Sequence, residues 1–250
     1  MIPMDKYDVE KLKAVTLYIL KKCGATDYIH LFKILYFAER EHYADYGKRI
    51  TKDTFIAMEH GPVPSFLYNA LKLVTRQEQA SADSLLWKIA NAVTSGSAEL
   101  YYFFVAAEEP DMDELSKAEI ASLDKSIAEY KDMSPWELSE KSHDEAWHEA
   151  WDVLQNSSMN PYKIAKAGGA SDGFVEYLKD QDAIDNFLNG VDRFVDCSDF
   201  KLISRKRFSE LFGKEKAKGT IAAKDLAAVK KMTAEYEDAS PKILKRFGLV

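Results

Sequence analysis

The stretch IHLFKILYFAEREHYADY, residues 29–46, constrains the fold more than any other part of the chain. Its first half is apolar nearly all round, with Ile29, Leu31, Phe32, Ile34, Leu35 and Phe37 distributed over every side of a helical projection. A helix of that kind is buried on more than one side. The pattern therefore predicts a central helix wrapped by the other elements, capped by Thr26 or Asp27 and ending at Gly47.

The surrounding sequence supplies the wrapping. Val9, Leu12, Val15, Ile19 and Leu20 recur at helical spacing between Asp8 and Cys23, with Gly24 as a stop. Residues 54–58 alternate weakly and read as a short strand. In GPVP each residue before a proline is pushed toward extended geometry, and Pro64 or Ser65 then opens a helix through Val74. Residues 81–93 are ambiguous between helix and strand. The turn signal TSGS precedes a β-rich run at 100–106. Beyond the acidic EEPDMDE, a helix is predicted from Ser116 to Lys131. One or two more follow in SPWELSEKSHDEAWHEAWDVL, with Ser134 as N-cap and Pro135 at the first helical position. Residues 174–188, 205–212 and 221–237 also read as helical. These elements predict a mainly α fold with a small β-sheet formed from about 54–58 and 100–106, continued by a helical C-terminal extension.

Residues 115–138 echo 221–244, sharing Ala121, Lys125, Ala128, Glu129, Tyr130, Asp132, Ser134, Pro135 and Leu138 in register. The echo is either a duplicated helix pair or the common grammar of helix, cap and helix. A repeat architecture needs more than two weak copies.

Charge is unevenly spread. The chain carries a net charge of −7, yet residues 201–250 hold 13 Lys and Arg against 6 Asp and Glu. Arg205, Lys206 and Arg207 are the nucleic-acid candidates in this basic region. Their interspersion with Phe208, Leu211 and Phe212 favours solvation or docking on the acidic body. No apolar run approaches the ~20 residues of a membrane helix, and the N-terminus turns charged too early for a signal peptide. Two cysteines, Cys23 and Cys197, are too few for a disulfide framework. A cytoplasmic protein is expected, with no membrane partner.

Motifs of catalysis are missing from the sequence: there is no GxSxG, no P-loop, no GxGxxG after a strand and no cysteine near a plausible base. His143, Asp144 and His148 lack the i, i+4 histidine pair of a helical zinc site. The acidic run lacks the glycine and spacing of a calcium loop. No enzyme activity, metal or cofactor is expected. Trp136, Trp147 and Trp151 read as core, the last two stacking along one helical face.

Two groups of residues have both structural and functional readings. Arg40 and His42, on an otherwise apolar helix, either hydrogen-bond inside the fold, for example to the GPVP loop, or contact a partner. His60, Gly61, Pro62, Val63 and Pro64 form either a rigid turn capped by Ser65 or a contact loop, where a helix N-terminus beside His60 would accept a carboxylate or phosphate.

The ordered run from Lys33 to Leu71, KILYFAEREHYADYGKRITKDTFIAMEHGPVPSFLYNAL, resembles the core signature of the Panacea domain of SocA-like antitoxins. The matching positions are Lys33, Leu35, Tyr36, Ala38, Arg40, His42, Gly47, Arg49, Ile50, Thr51 and Asp53. They continue through Ala57, Met58, His60, Gly61, Pro62, Val63, Pro64 and Ser65. Downstream, LSKAEIASLD and SPWELSEKSHDEAW resemble a second family block that places His143 and Trp147. The resemblance covers about residues 5–165, and none is found over 170–250. It implies a Panacea body at residues 1–168 with an added extension at 169–250. It also implies the antitoxin half of a two-gene toxin–antitoxin system, often carried on prophages. The expected partner is a cognate toxin from the adjacent gene, occluded across roughly 1,200–2,000 Å². The resemblance brings no catalytic residue and no cofactor. The alternative is a DNA-binding regulator that grips operator DNA through its basic C-terminal region.

Overall fold

In the computed structural model, helix α2 (Tyr28–Tyr46) is the centre the sequence predicts. Asp27 caps it by accepting from the His30 backbone N–H, and Gly47 ends it in the left-handed conformation. Every residue from Leu31 to Glu39 is buried, including Lys33 and Glu39. The structure describes residues 4–82, 84–98 and 101–192. The predicted helices at 205–212 and 221–237, the second copy of the echo, and Arg205, Lys206 and Arg207 lie outside the described residues.

Helix α1 (Lys6–Cys23), held by a capping box between Asp5 and Asp8, buries Val9, Leu12, Val15, Ile19 and Leu20 in the main core. Helix α5 (Lys117–Tyr130) starts from a Ser116–Glu119 capping box and packs along α2. Its Ser126 hydroxyl donates to the Ile34 carbonyl at 2.8 Å. Helix α6 (Pro135–Ser142) has the predicted Ser134 cap and Pro135 start. It buries Leu138, Ser139 and Ser142. That face leaves Trp136, two residues before Leu138 on the other side of the helix, 70% exposed rather than in the core. Helix α7 (Glu145–Trp151) carries the expected stack, with Trp147 and Trp151 centroids 5.1 Å apart.

The β-structure forms two separate antiparallel units among the described residues. Strand β2 (Phe55–Met58) pairs with β3 (Gly61–Pro64) in a hairpin, with Met58 opposite Gly61. The GPVP segment is thus a strand as well as a lead into helix α3 (Ser65–Val74). Residues 156–159 bond the other edge of β2, which leaves it no room for the 100–106 segment. The latter forms β5 (Tyr101–Ala106), which pairs with β4 (Val93–Ala98) and the short β1 (Thr26–Asp27). TSGS is therefore strand, not turn, because Thr94 to Ser97 lie opposite Val105 to Tyr102 and this pairing overrides their weak β-propensity. The ambiguous 81–93 segment resolves into helix α4 (Leu86–Ala90) followed by the start of β4.

After helix α8 (Pro161–Ala167), helix α9 (Asp172–Asp192) lays Val175 and Leu178 against Tyr43, Ala165 and Ala170 in a second small core. Among the described residues no helix is long and apolar enough to cross a membrane.

Candidate functional site

One row of α2 is polar although its helix is central. Lys33, Tyr36 and Arg40 follow one another at i, i+3 and i+7, so they share a face. That face meets the β2–β3 hairpin and the α6–α7 junction. Burial there demands partners for each polar group.

The junction supplies them through Asp144, the N-cap of α7. Its carboxylate accepts from the backbone N–H of Ala146 at 3.1 Å and of Trp147 at 3.2 Å. It also accepts from the Tyr36 hydroxyl at 2.8 Å and from Arg40 Nη1 at 3.1 Å. Burial, reinforced by Asp144, pushes the Tyr36 phenol well above its ordinary pKa. The Arg40 guanidinium lies over the Phe37 ring, 4.9 Å from its centroid, while its buried Nε has no partner.

The hairpin is held from beneath by Lys33, whose Nζ donates to the Pro62 carbonyl at 2.9 Å. Burial lowers the amine's pKa from 10.5 to about 7. Gly61 has φ +89, and a Cβ there would fall 2.1 Å from Ser142 Oγ and 3.0 Å from Lys33 Nζ. Only glycine allows that approach. On the far side, the Trp147 indole donates to the Met58 carbonyl at 2.9 Å, and its ring stacks on His143 with centroids 3.9 Å apart.

Two buried carboxylates fix the segment leading into the hairpin. Glu39 accepts from Arg49 Nε and from the Thr51 backbone N–H, each at 2.9 Å. Asp53 caps α3 from a distance, accepting from the backbone N–H groups of Phe66 and Leu67 at 2.9 Å and from the Ser65 hydroxyl at 3.2 Å. Burial raises the pKa of both acids. The expected Ser65 cap is therefore provided by Asp53, with Ser65 as its donor.

The predicted candidates separate by exposure. Arg40 is turned to Asp144, and its side chain is 14% exposed. His42 faces α5, with Nδ1 2.9 Å from Ser122 Oγ and its ring against Tyr46. It lines a shallow cleft of about 560 Å³ with Tyr46, Lys48 and Glu119. Neither reaches the GPVP segment, which is bonded by Lys33 instead. Gly61, Pro62, Val63 and Pro64 are buried, whereas His60 is exposed beside Glu59 at the hairpin tip. Lys33, Glu39, Asp53 and Asp144 had no assigned role in the sequence. A lysine inside an otherwise apolar helical run was the available signal for the first.

The chemistry of this cluster is structural cross-linking. Each carboxylate is occupied by backbone donors and by Tyr, Arg or Ser. Among the described residues no group of three or more His, Cys, Asp and Glu is placed to hold a metal ion.

The network spans Lys33 to Trp147, and the family described as "Antitoxin SocA-like, Panacea domain" matches residues 31–148. That segment matches the Panacea domain. No curated protein and no solved structure matches the chain. The polar row of α2, the hairpin and the Asp144 cap all lie inside the matched segment, while α1, α8 and α9 pack around it from outside.

Proposed function

We propose that this protein is an antitoxin that neutralises a cognate toxin, encoded by the adjacent gene, by binding it directly in the cytoplasm. The antitoxin role follows from the Panacea match over residues 31–148, and that observation carries the reading. The geometry supports direct binding over chemistry: the cluster's carboxylates are occupied by neighbouring donors, which ties the hairpin, α2 and the α6–α7 junction into one platform. A preorganised platform loses little freedom on association.

The contact residues are assigned by exposure. His60, at the hairpin tip, touches the partner; Gly61, Pro62, Val63 and Pro64 set the tip's shape; Arg40 and His42 hold the body behind it. Residues 1–168 form the neutralising body, and 169–250 an extension to it. No enzymatic step or cofactor enters this mechanism.

The test is growth. The adjacent gene, expressed alone in a bacterial host, is expected to arrest growth, and co-expression of this protein to restore it. A harmless neighbour would overturn the assignment. The second reading, a regulator gripping operator DNA through Arg205, Lys206 and Arg207, is favoured only by the 13 to 6 excess of basic residues over 201–250. It predicts a salt-sensitive gel shift that alanine at those three positions abolishes.

A further inference from the structure

His30 is the third residue of α2, and its ring is held at both ends. Nδ1 lies 2.7 Å from Asp27 Oδ2, and Nε2 lies 2.8 Å from the Met133 carbonyl oxygen. The other Asp27 oxygen accepts the His30 backbone N–H at 2.9 Å. Both ring partners are acceptors. A carbonyl has no proton to give, and Asp27 is held ionised: burial opposes its charge, but the hydrogen bonds from His30 outweigh this and keep its pKa below the ordinary value.

A neutral imidazole has one N–H and one lone pair. In this setting it would satisfy one neighbour and turn its lone pair on the oxygen of the other. Only the imidazolium donates in both directions. We propose that His30 is a proton-operated clamp: doubly protonated, it ties the β1–α2 junction to the α5–α6 corner, and loss of one proton releases one of the two ends.

The elements joined give the clamp its reach. Asp27 is fixed in β1, opposite Phe103 of β5. Met133 directly precedes Ser134, the cap of α6, and α6 carries Ser142 to its place beneath Gly61. Release at the Met133 end therefore loosens the approach of α6 to the hairpin. The charged surroundings favour the proton. Asp27 supplies the facing carboxylate and the α5–α6 corner the Met133 carbonyl, while Lys131 and Asp132 at that corner carry opposite charges, both felt by Cys23 of α1. Lys33, one turn along α2, sends its amine to Pro62 instead. The hydrogen bond to Asp27 outweighs burial and raises the His30 pKa above 6.5. The clamp's stabilisation is then complete below pH 6.5 and lost as the pH rises through the raised folded-state value.

The test uses the full chain. Ring ¹⁵N and ¹³C shifts of His30 are followed by NMR from pH 5 to 9, with His42 and His143 as internal references because burial lowers both of their pKa values. The expected result is a His30 midpoint above 6.5, with both ring nitrogens protonated at pH 6.5 while the two references are mainly neutral. A midpoint at or below 6.5, or a single protonated nitrogen at pH 6, overturns the proposal. His30→Gln, which offers one donor and one acceptor, should lower Tm relative to the native protein at pH 6 and match it by pH 9. A deficit of equal size at both pH values would reduce His30 to a fixed structural contact.

Discussion

The Tyr36 hydroxyl donates to Asp144 at 2.8 Å across 108 positions of sequence, and the same carboxylate caps α7 and pairs with Arg40. One side chain thus fixes the central helix to the junction that carries Trp147. Asp144→Ala removes the cap and takes from Arg40 and Tyr36 the carboxylate they share, a cost of about 3–5 kcal/mol. Tyr36→Phe removes one hydrogen bond and should cost about 1 kcal/mol. Urea unfolding of both variants checks the order. Equal losses would mean that Asp144 serves only Tyr36.

Gly61 and Ser142 should be coupled. Gly61→Ala places a Cβ at φ +89 and 2.1 Å from Ser142 Oγ, so destabilisation of about 2 kcal/mol or more is expected. Ser142→Ala removes the oxygen it strikes. The double variant is therefore predicted to be more stable than the sum of the two single losses implies, by about 1 kcal/mol. Simple additivity would show that only the backbone strain matters.

Lys33 gives stability an alkaline rise. Its pKa is depressed from 10.5 to about 7 by burial, so the unfolded chain holds the proton over that interval and the folded chain does not. Stability attributable to Lys33 is fully present above pH 10.5 and lost as the pH falls through 7. The slope between those values approaches about 1.4 kcal/mol per pH unit. Lys33→Met should flatten it. Denaturant midpoints of both proteins from pH 6 to 10 measure the difference, and parallel curves would contradict the burial of a titrating amine.

The hairpin tip separates binding from folding. His60 is exposed, so His60→Ala should change stability by less than about 0.5 kcal/mol while weakening capture of the toxin. Val63 is only 8% exposed, so Val63→Asp buries a carboxylate and is predicted to unfold the hairpin. Thermal melts beside a pull-down read both effects. Unaltered binding by His60→Ala would move the interface away from the tip.

What the sequence disclosed follows from the range of the interactions involved. The all-round apolar pattern of residues 29–37 announced a central helix because a single element encodes it. Ser134, Pro135 and Gly47 marked helix ends for the same reason. The partner of β2 was not legible, because residues 54–58 could pair with any strand until the bonds to 156–159 and the turn at Glu59–His60 filled both its edges. Trp136 was misplaced because its size suggests burial, while Leu138 and Ser142 decide which face of α6 turns inward. At the site, Gly61 and the prolines were visible as a constrained segment. Asp53 and the bonds of Asp144 to Tyr36 and Arg40 were not, since they join groups far apart along the chain, where local grammar is silent.

The most direct test of direct neutralisation is co-purification of the tagged full-length protein with the adjacent gene's product, followed by size-exclusion chromatography at physiological salt. The account predicts that the two co-elute as one stable complex whose formation abolishes the partner's toxicity. Restored growth without any complex would contradict it, because the protein would then be acting on the toxin by some route other than binding.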